Sequence, residues 1–301
     1  LRRPTQREAL GPVWMACIHD VPDSLLGDVA HVVMQYWEHG QEQVLRELQK
    51  SDSPTRAYLY LMPFFPLEHM TPRPPFLCTT WIDLVCQLSP ALLVPLLDAY
   101  DSAYFDLEHV VRAAKERRVY DAYLWCLDRL GRTHEAMDAL DALVTHMAQN
   151  TQMALDASID ATTDSEAECI HEQTRQEFDY LHMAVLMSVR LCVEHTTVPN
   201  ATVDDARELW FRVLRALMQL EHSLVPLYAS KHGPLQTYVA KHSRALTQEA
   251  LTTLITSVPS DMITLAHLFR RLIDSVAHTQ EHRYSEVRVV VESMLDAYRL
   301  R

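Results

Sequence analysis

The sequence predicts an all-α fold, an α-solenoid of stacked antiparallel helical hairpins, and three observations carry that prediction. Apolar residues recur at helical spacing along most of the chain, no segment alternates with period two long enough to make a strand, and only five of 301 residues are glycine. Tight strand turns and phosphate-cradling loops both use glycine's positive φ. The few glycines (Gly11, Gly27, Gly40, Gly131 and Gly233) therefore disfavour β structure and nucleotide loops together. No two of them are spaced to write either common phosphate-binding fingerprint, so ATP, GTP and NAD have no recognisable motif. A hydrophobic content of 48% supplies a core along the whole length.

Residues 1–62 read as N-terminal helical hairpins. Leu25, Val29, Val32, Val33 and Tyr36 form one apolar stripe, and Val44, Leu45 and Leu48 form another after a break at Gly40. Residues 63–75 carry Pro63, Pro66, Pro72, Pro74 and Pro75. Proline lacks the helical N–H, so this stretch is irregular and is the best seam in the chain. Residues 76–153 read as helical repeats, with two short helices over 76–88 and 90–100 and a more regular set after them. Asp106 N-caps a helix through Val110, Val111 and Ala114, Tyr120 to Leu130 line a second, Gly131 stops it, and Thr133 caps a third. Each such helix has only one apolar face and needs neighbours to bury it. The acidic stretch 154–168 reads as a loop. Residues 169–301 read as the long-helix end of the same solenoid, divided at Pro199, Gly233–Pro234 and Pro259, with a break near 278–283.

The 27 basic and 40 acidic residues leave a formal charge of −13, which repels nucleic acid and anionic lipid, and no basic patch overrides it. Lys115, Arg117 and Arg118 sit where a helix ends, and cations are favoured there by its dipole. The six cysteines are scattered without a C-x-x-C pair, as expected of buried thiols in a reducing cytosol. No apolar run reaches membrane-spanning length, and the first residues, Leu1 to Pro4, carry neither an initiator Met nor an apolar signal region. The expectation is a cytoplasmic segment of a longer chain.

Three constellations invite a chemical reading. His278, Glu281 and His282 match H-x-x-E-H, a zinc pattern, but only nineteen residues follow in which to find a third ligand. Asp204, Asp205 and Glu208 resemble the carboxylate run of all-α terpene synthases, yet they follow Thr202 at a helix start, where capping and the dipole already favour acids. Cys192 has His195 one turn away, but it lies in an apolar stripe with Val189, Leu191 and Val193. The reading is no catalytic residue, no cofactor-binding residue and no metal ligand. The residues expected to matter are collective: Leu124, Leu127, Leu130, Gly131, Ala136, Met137, Leu140 and Leu143 as the core of one repeat.

A resemblance sharpens this. Leu97–Val111, then Val119–Trp125, look like the clathrin-heavy-chain-type helical repeats of vacuolar sorting proteins, and most nearly the C-terminal helical region of the vacuolar protein sorting-associated protein eight family. Leu130–Leu140 is similar to the general repeat signature, in which glycine ends one helix and an acid-alanine pair opens the next. Arg190–Glu194, Glu208–Leu214, Thr264–Leu272 and Glu286–Tyr298 resemble further helices of that family. The likeness spans about residues 90–301, and residues 1–89 match in helical character alone.

The resemblance implies a non-enzymatic scaffold in a CORVET-like endosomal tethering complex, acting in vesicle tethering and endosome-to-vacuole transport. Its partners would be other tether subunits, holding it peripherally on endosomal membranes. The family's β-propeller and RING-like zinc domain have no counterpart in these residues, so binding of a Rab GTPase, like binding of zinc, would lie in another part of the polypeptide. The alternatives are another α-solenoid coat, a HOPS subunit or a nuclear-pore scaffold and, more distantly, a metal-dependent enzyme of terpene-synthase type.

Overall fold

Proline opens helices throughout this protein, because its missing N–H is one that a first helical turn leaves unbonded anyway. Pro54, Pro75 and Pro234 each stand at the first position of a helix in the computed structural model of the chain. The structure describes residues 11–37, 40–50, 53–66, 73–100, 104–160, 163–197, 202–228 and 234–258, together with His267, Arg270 and Arg271. Among these described residues the regular structure is all helical and no strand occurs. The chain divides into two units, Leu1–Cys126 and Leu127–Arg301.

The first unit contains α1 (Gly11–Cys17), α2 (Leu26–Tyr36), α3 (Gln41–Gln49), α4 (Pro54–Leu61), α5 (Pro75–Leu88), α6 (Leu93–Ala99) and α7 (Leu107–Glu116), and the start of α8 (Tyr120–Arg129). The sequence predicts a hairpin of α2 on α3, but each of these packs instead on α4, whose Ala57, Tyr58, Tyr60 and Leu61 are all buried. An eleven-residue stripe on α2 and a nine-residue one on α3 are too short to complete a core between themselves, and α4 supplies the aromatic bulk.

Nor is the Pro-rich stretch 63–75 a seam. Helices α4 and α5 on its two sides pack directly together. The Trp81 indole is stacked between Tyr58 at 5.0 Å and Phe65 at 5.2 Å. Arg73 Nε donates to the Phe64 carbonyl at 3.0 Å, and the Tyr100 hydroxyl donates to the Pro66 carbonyl at 2.8 Å. Side chains thus meet carbonyls that a helix would otherwise have satisfied, and of the described residues of this stretch Phe64 and Phe65 are buried in the core.

Helix α7 begins as expected, with Asp106 accepting from the N–H groups of Glu108 at 3.1 Å and His109 at 3.4 Å. It ends on Arg118, whose φ of 59° is left-handed. Val119 N–H returns to the Ala114 carbonyl and Arg118 N–H to the Lys115 carbonyl, the paired bonds of a Schellman stop.

The second unit holds the end of α8 and four longer elements: α9 (Thr133–Asp160), α10 (Asp164–Thr197), α11 (Val203–Tyr228) and α12 (Pro234–Ser257). Helix α9 packs on α10 and α11, and α12 packs on α10 and α11, while α10 and α11 also touch each other. The acidic stretch 154–168, expected as a loop, is helical over 154–160 and again from 164. Ala154, Leu155 and Ala157 are good helix formers that prolong α9. Thr163 then restarts the helix, its hydroxyl accepting from Glu166 N–H at 3.3 Å, with acids in the first turn where the dipole favours them. The expected helix beyond Pro259, with its break near 278–283, lies outside the described residues apart from His267, Arg270 and Arg271.

Candidate functional site

Of the repeat-core residues expected from sequence, Leu124, Leu127, Ala136, Met137, Leu140 and Leu143 are buried. Leu130 and Gly131 are not core. Leu130 is half-buried and Gly131 exposed, because they form the turn rather than a packed face. Gly131 adopts φ 74°, its N–H bonding to the Asp128 carbonyl and Arg132 N–H to that of Leu127, both at 2.8 Å. This is a Schellman stop like that of α7, and it turns the chain from α8 into α9.

Beside that turn lies a buried polar group that joins three helices of the second unit. The Asp128 carboxylate, 5% exposed, accepts at Oδ1 from the Thr133 hydroxyl at 2.7 Å and lies 2.6 Å from His195 Nε2. The first helical residue of α9 and the last turn of α10 are thereby fastened to the end of α8. Thr133 was expected to cap α9, but its hydroxyl donates to Asp128. Around this corner Arg129 Nη2 donates to Glu194 at 2.9 Å, and Arg190 reaches the same carboxylate at 2.8 Å.

Next to His195 in α10, the Thr196 hydroxyl donates to the Cys192 carbonyl at 2.6 Å and receives the Trp210 indole N–H at 3.3 Å. This ties α11 into the same layer.

A second clamp joins α9 to α11. Arg212 reaches Asp138 at 2.5 Å and Asp141 at 2.9 Å and donates to the His134 carbonyl at 3.3 Å, and Arg215 adds a contact to Asp141 at 3.2 Å. Burial disfavours the guanidinium charge of Arg212, but the two carboxylates outweigh that and raise its pKa above the ordinary value. A fixed guanidinium between two acids resists sliding of one helix along another, which suits a rigid spacer better than a reacting centre.

The constellations with catalytic precedent do not assemble. Asp204 is almost fully exposed and 3.3 Å from Arg207. Asp205 is engaged with Thr202, whose hydroxyl also accepts the Asp205 N–H at 3.3 Å, and Glu208 pairs with Arg271. The three carboxylates are thus taken up by a helix cap and ion pairs rather than aimed at a cavity. Cys192 is wholly buried and burial pushes its thiol pKa up, so thiolate, the reactive form, is scarce. His195 one turn on is committed to Asp128. The His278, Glu281 and His282 pattern lies outside the described residues. Among the described residues no group of three or more His, Cys, Asp or Glu side chains is placed to hold a metal ion, and no helix is long and apolar enough to cross a membrane.

The helix-clamping residues that sequence reasoning missed are Asp128, Arg212 and Asp141. A signal existed for Asp128, an acid placed directly after the apolar run from Ala122 to Leu127. Its partner 67 positions away left no trace in the spacing.

Residues 170–301 match the family model described as VPS8-like, TPR-like repeats. No curated protein and no solved structure matches the chain. The family match opens within α10 and covers α11 and α12, so the similarity to VPS8-like repeats lies in the C-terminal region of the chain.

Proposed function

We propose that this chain is a non-enzymatic scaffold segment of a CORVET-like endosomal tethering complex, in which stacked helical hairpins space and dock other subunits. The observation that carries the reading is the VPS8-like match over residues 170–301, a repeat type that belongs to vacuolar sorting tethers. The order of helix packing supports it. Each helix of the second unit meets its first and second neighbours in sequence, α9 with α10 and α11, and α10 with α11 and α12. A closed four-helix bundle would bring its first and last helices together as strongly, whereas a solenoid grows by first and second neighbours.

The pattern extends one step further. Arg271 pairs with Glu208 and its guanidinium lies 4.1 Å from the Phe211 ring centroid, so the chain after α12 returns to α11. On this reading the helical character of residues 1–126 continues the scaffold, the protein resides in the cytoplasm and meets endosomal membranes through its partners, and any Rab contact belongs to other parts of the polypeptide.

The test is affinity purification of the tagged chain from its native cells with mass spectrometry of the eluate. Endosomal tether subunits are the expected result. A well-folded chain that brings down coat or nuclear-pore subunits instead overturns the tether assignment.

A further inference from the structure

Resting on the reading as a docking scaffold, we infer that the first unit carries a groove for a cationic amphipathic helix of a partner protein. The groove, of about 440 Å³, lies between α2 and the chain that leads into it, with Val21, Pro22, Leu25, Val29 and Val32 as its apolar lining. Leu25 remains 47% exposed there. Tyr36, one turn past Val32 on the same stripe, is 51% exposed. Leu25, Val29, Val32 and Tyr36 recur at the spacing of one helix face, a strip of about 16 Å at 1.5 Å per residue, which is what three turns of a docked helix cover.

The wall opposite α2 is held in place without a ligand. Arg56 donates to the carbonyls of Ile18 at 3.1 Å and Val21 at 2.8 Å and pairs with Asp23 at 2.5 Å, so one guanidinium fixes the whole turn from Ile18 to Asp23. A preformed site spares the partner the cost of ordering it.

Charge selects the occupant. Asp20 and Asp28 also line the groove, and both are exposed. Neither has a hydrogen bond or ion pair among the described residues, unlike Asp23 beside them. Two carboxylates without a charged partner among the described residues, flanking an apolar strip on a chain of formal charge −13, attract a helix with an aliphatic face and Lys or Arg at its margins and repel an acidic one.

Cys17, an exposed thiol in the groove, makes the test direct. In a Cys169→Ser variant it is the one exposed thiol left, and it is labelled with bimane. Two 18-residue peptide helices are titrated against the full chain, one with a Leu stripe flanked by Lys, the other with Glu for every Lys. A saturable blue shift with the Lys peptide is expected, at least tenfold tighter than with the Glu peptide and weakened by salt. Leu25→Lys abolishes it, and Asp20→Lys with Asp28→Lys reverses the preference, while circular dichroism confirms that each variant is folded.

The inference is overturned if neither peptide shifts the label, if both do so equally, or if Leu25→Lys leaves binding unchanged. It is also overturned if the label shifts with protein concentration alone, which would make a second copy the occupant. Any of these leaves the tether reading intact so long as the chain still recovers tether subunits from cells.

Discussion

His195 Nε2 lies 2.6 Å from Oδ1 of Asp128, a contact that closes the corner between the end of α8 and the end of α10. The carboxylate is 5% exposed and is shared with the Thr133 hydroxyl, so its removal takes a partner from a half-buried hydroxyl and from an imidazole nitrogen at once. Asp128→Ala is expected to lower the stability of the second unit by about 1–3 kcal/mol, the cost of stranding buried polar groups. His195→Ala costs less, since that side chain is 37% exposed and its place is open to water. Thermal melts of the two variants check the order.

Leu127 is fully buried and Leu130, three residues on, is only half-buried. Leu127→Asp places an unpaired charge in the core at a cost of several kcal/mol and is expected to unfold the helices packed around it. Leu130→Asp sits at the turn and keeps most of the helicity. Far-ultraviolet circular dichroism distinguishes the two, and full helicity and melting temperature for Leu127→Asp would refute its place in the core.

Two helices end on the same left-handed stop with different residues, Arg118 after α7 and Gly131 after α8. A Cβ on Gly131 meets nothing within 4 Å, so Gly131→Ala tests backbone strain alone and is expected to cost about 1 kcal/mol. Arg118→Gly relieves that strain and is expected to gain up to about 1 kcal/mol, less whatever the cation contributes at the helix end. Opposite shifts in denaturant midpoint are the signature.

Glu221 in α11 is 4% exposed, and one of its carboxylate oxygens has no hydrogen-bond partner. Burial raises its pKa above 4.5, partly offset by the Thr247 hydroxyl and by Arg244. Between the ordinary value and the raised one, the folded chain holds a proton that the unfolded chain has lost. Glu221 therefore makes the protein less stable as pH rises through that window. Glu221→Gln is expected to melt higher than the parent at pH 7, with the difference closing as pH falls toward 4.5. A difference that stays flat or grows on acidification would contradict the raised pKa.

Of the six cysteines, Cys17 and Cys169 are exposed and the other four buried. Burial pushes Cys78 to about 11 and Cys86 and Cys126 to about 12, and raises Cys192 as well. A colorimetric thiol titration of the native protein at pH 8 is expected to count two fast-reacting groups, with the rest appearing only on unfolding.

Much of the first-order structure was legible in the residues. The α7 start at Asp106 and the α8 stop at Gly131 depend on local backbone bonds that particular residue types supply within a few positions, so they were readable. The loop expected over 154–168 failed because acid and threonine content was read as breaking a helix, whereas at a helix start the same residues support one. The seam expected over 63–75 failed because proline reports on its own backbone and not on what its flanks touch. Phe65 and Trp81 stack across that stretch all the same.

The sequence by itself determined the all-helical character of the described residues, the absence of nucleotide fingerprints and the burial of most of the apolar faces of α8 and α9, because helical periodicity and glycine content act locally. Only the tertiary structure decided that α2 and α3 both pack on α4, that Arg212 is clamped by Asp138 and Asp141, and that the Val29 and Val32 stripe is left partly open at Leu25 and Tyr36. Those outcomes rest on which faces meet over separations of tens of residues. An apolar stripe encodes that it must be buried, but not against what.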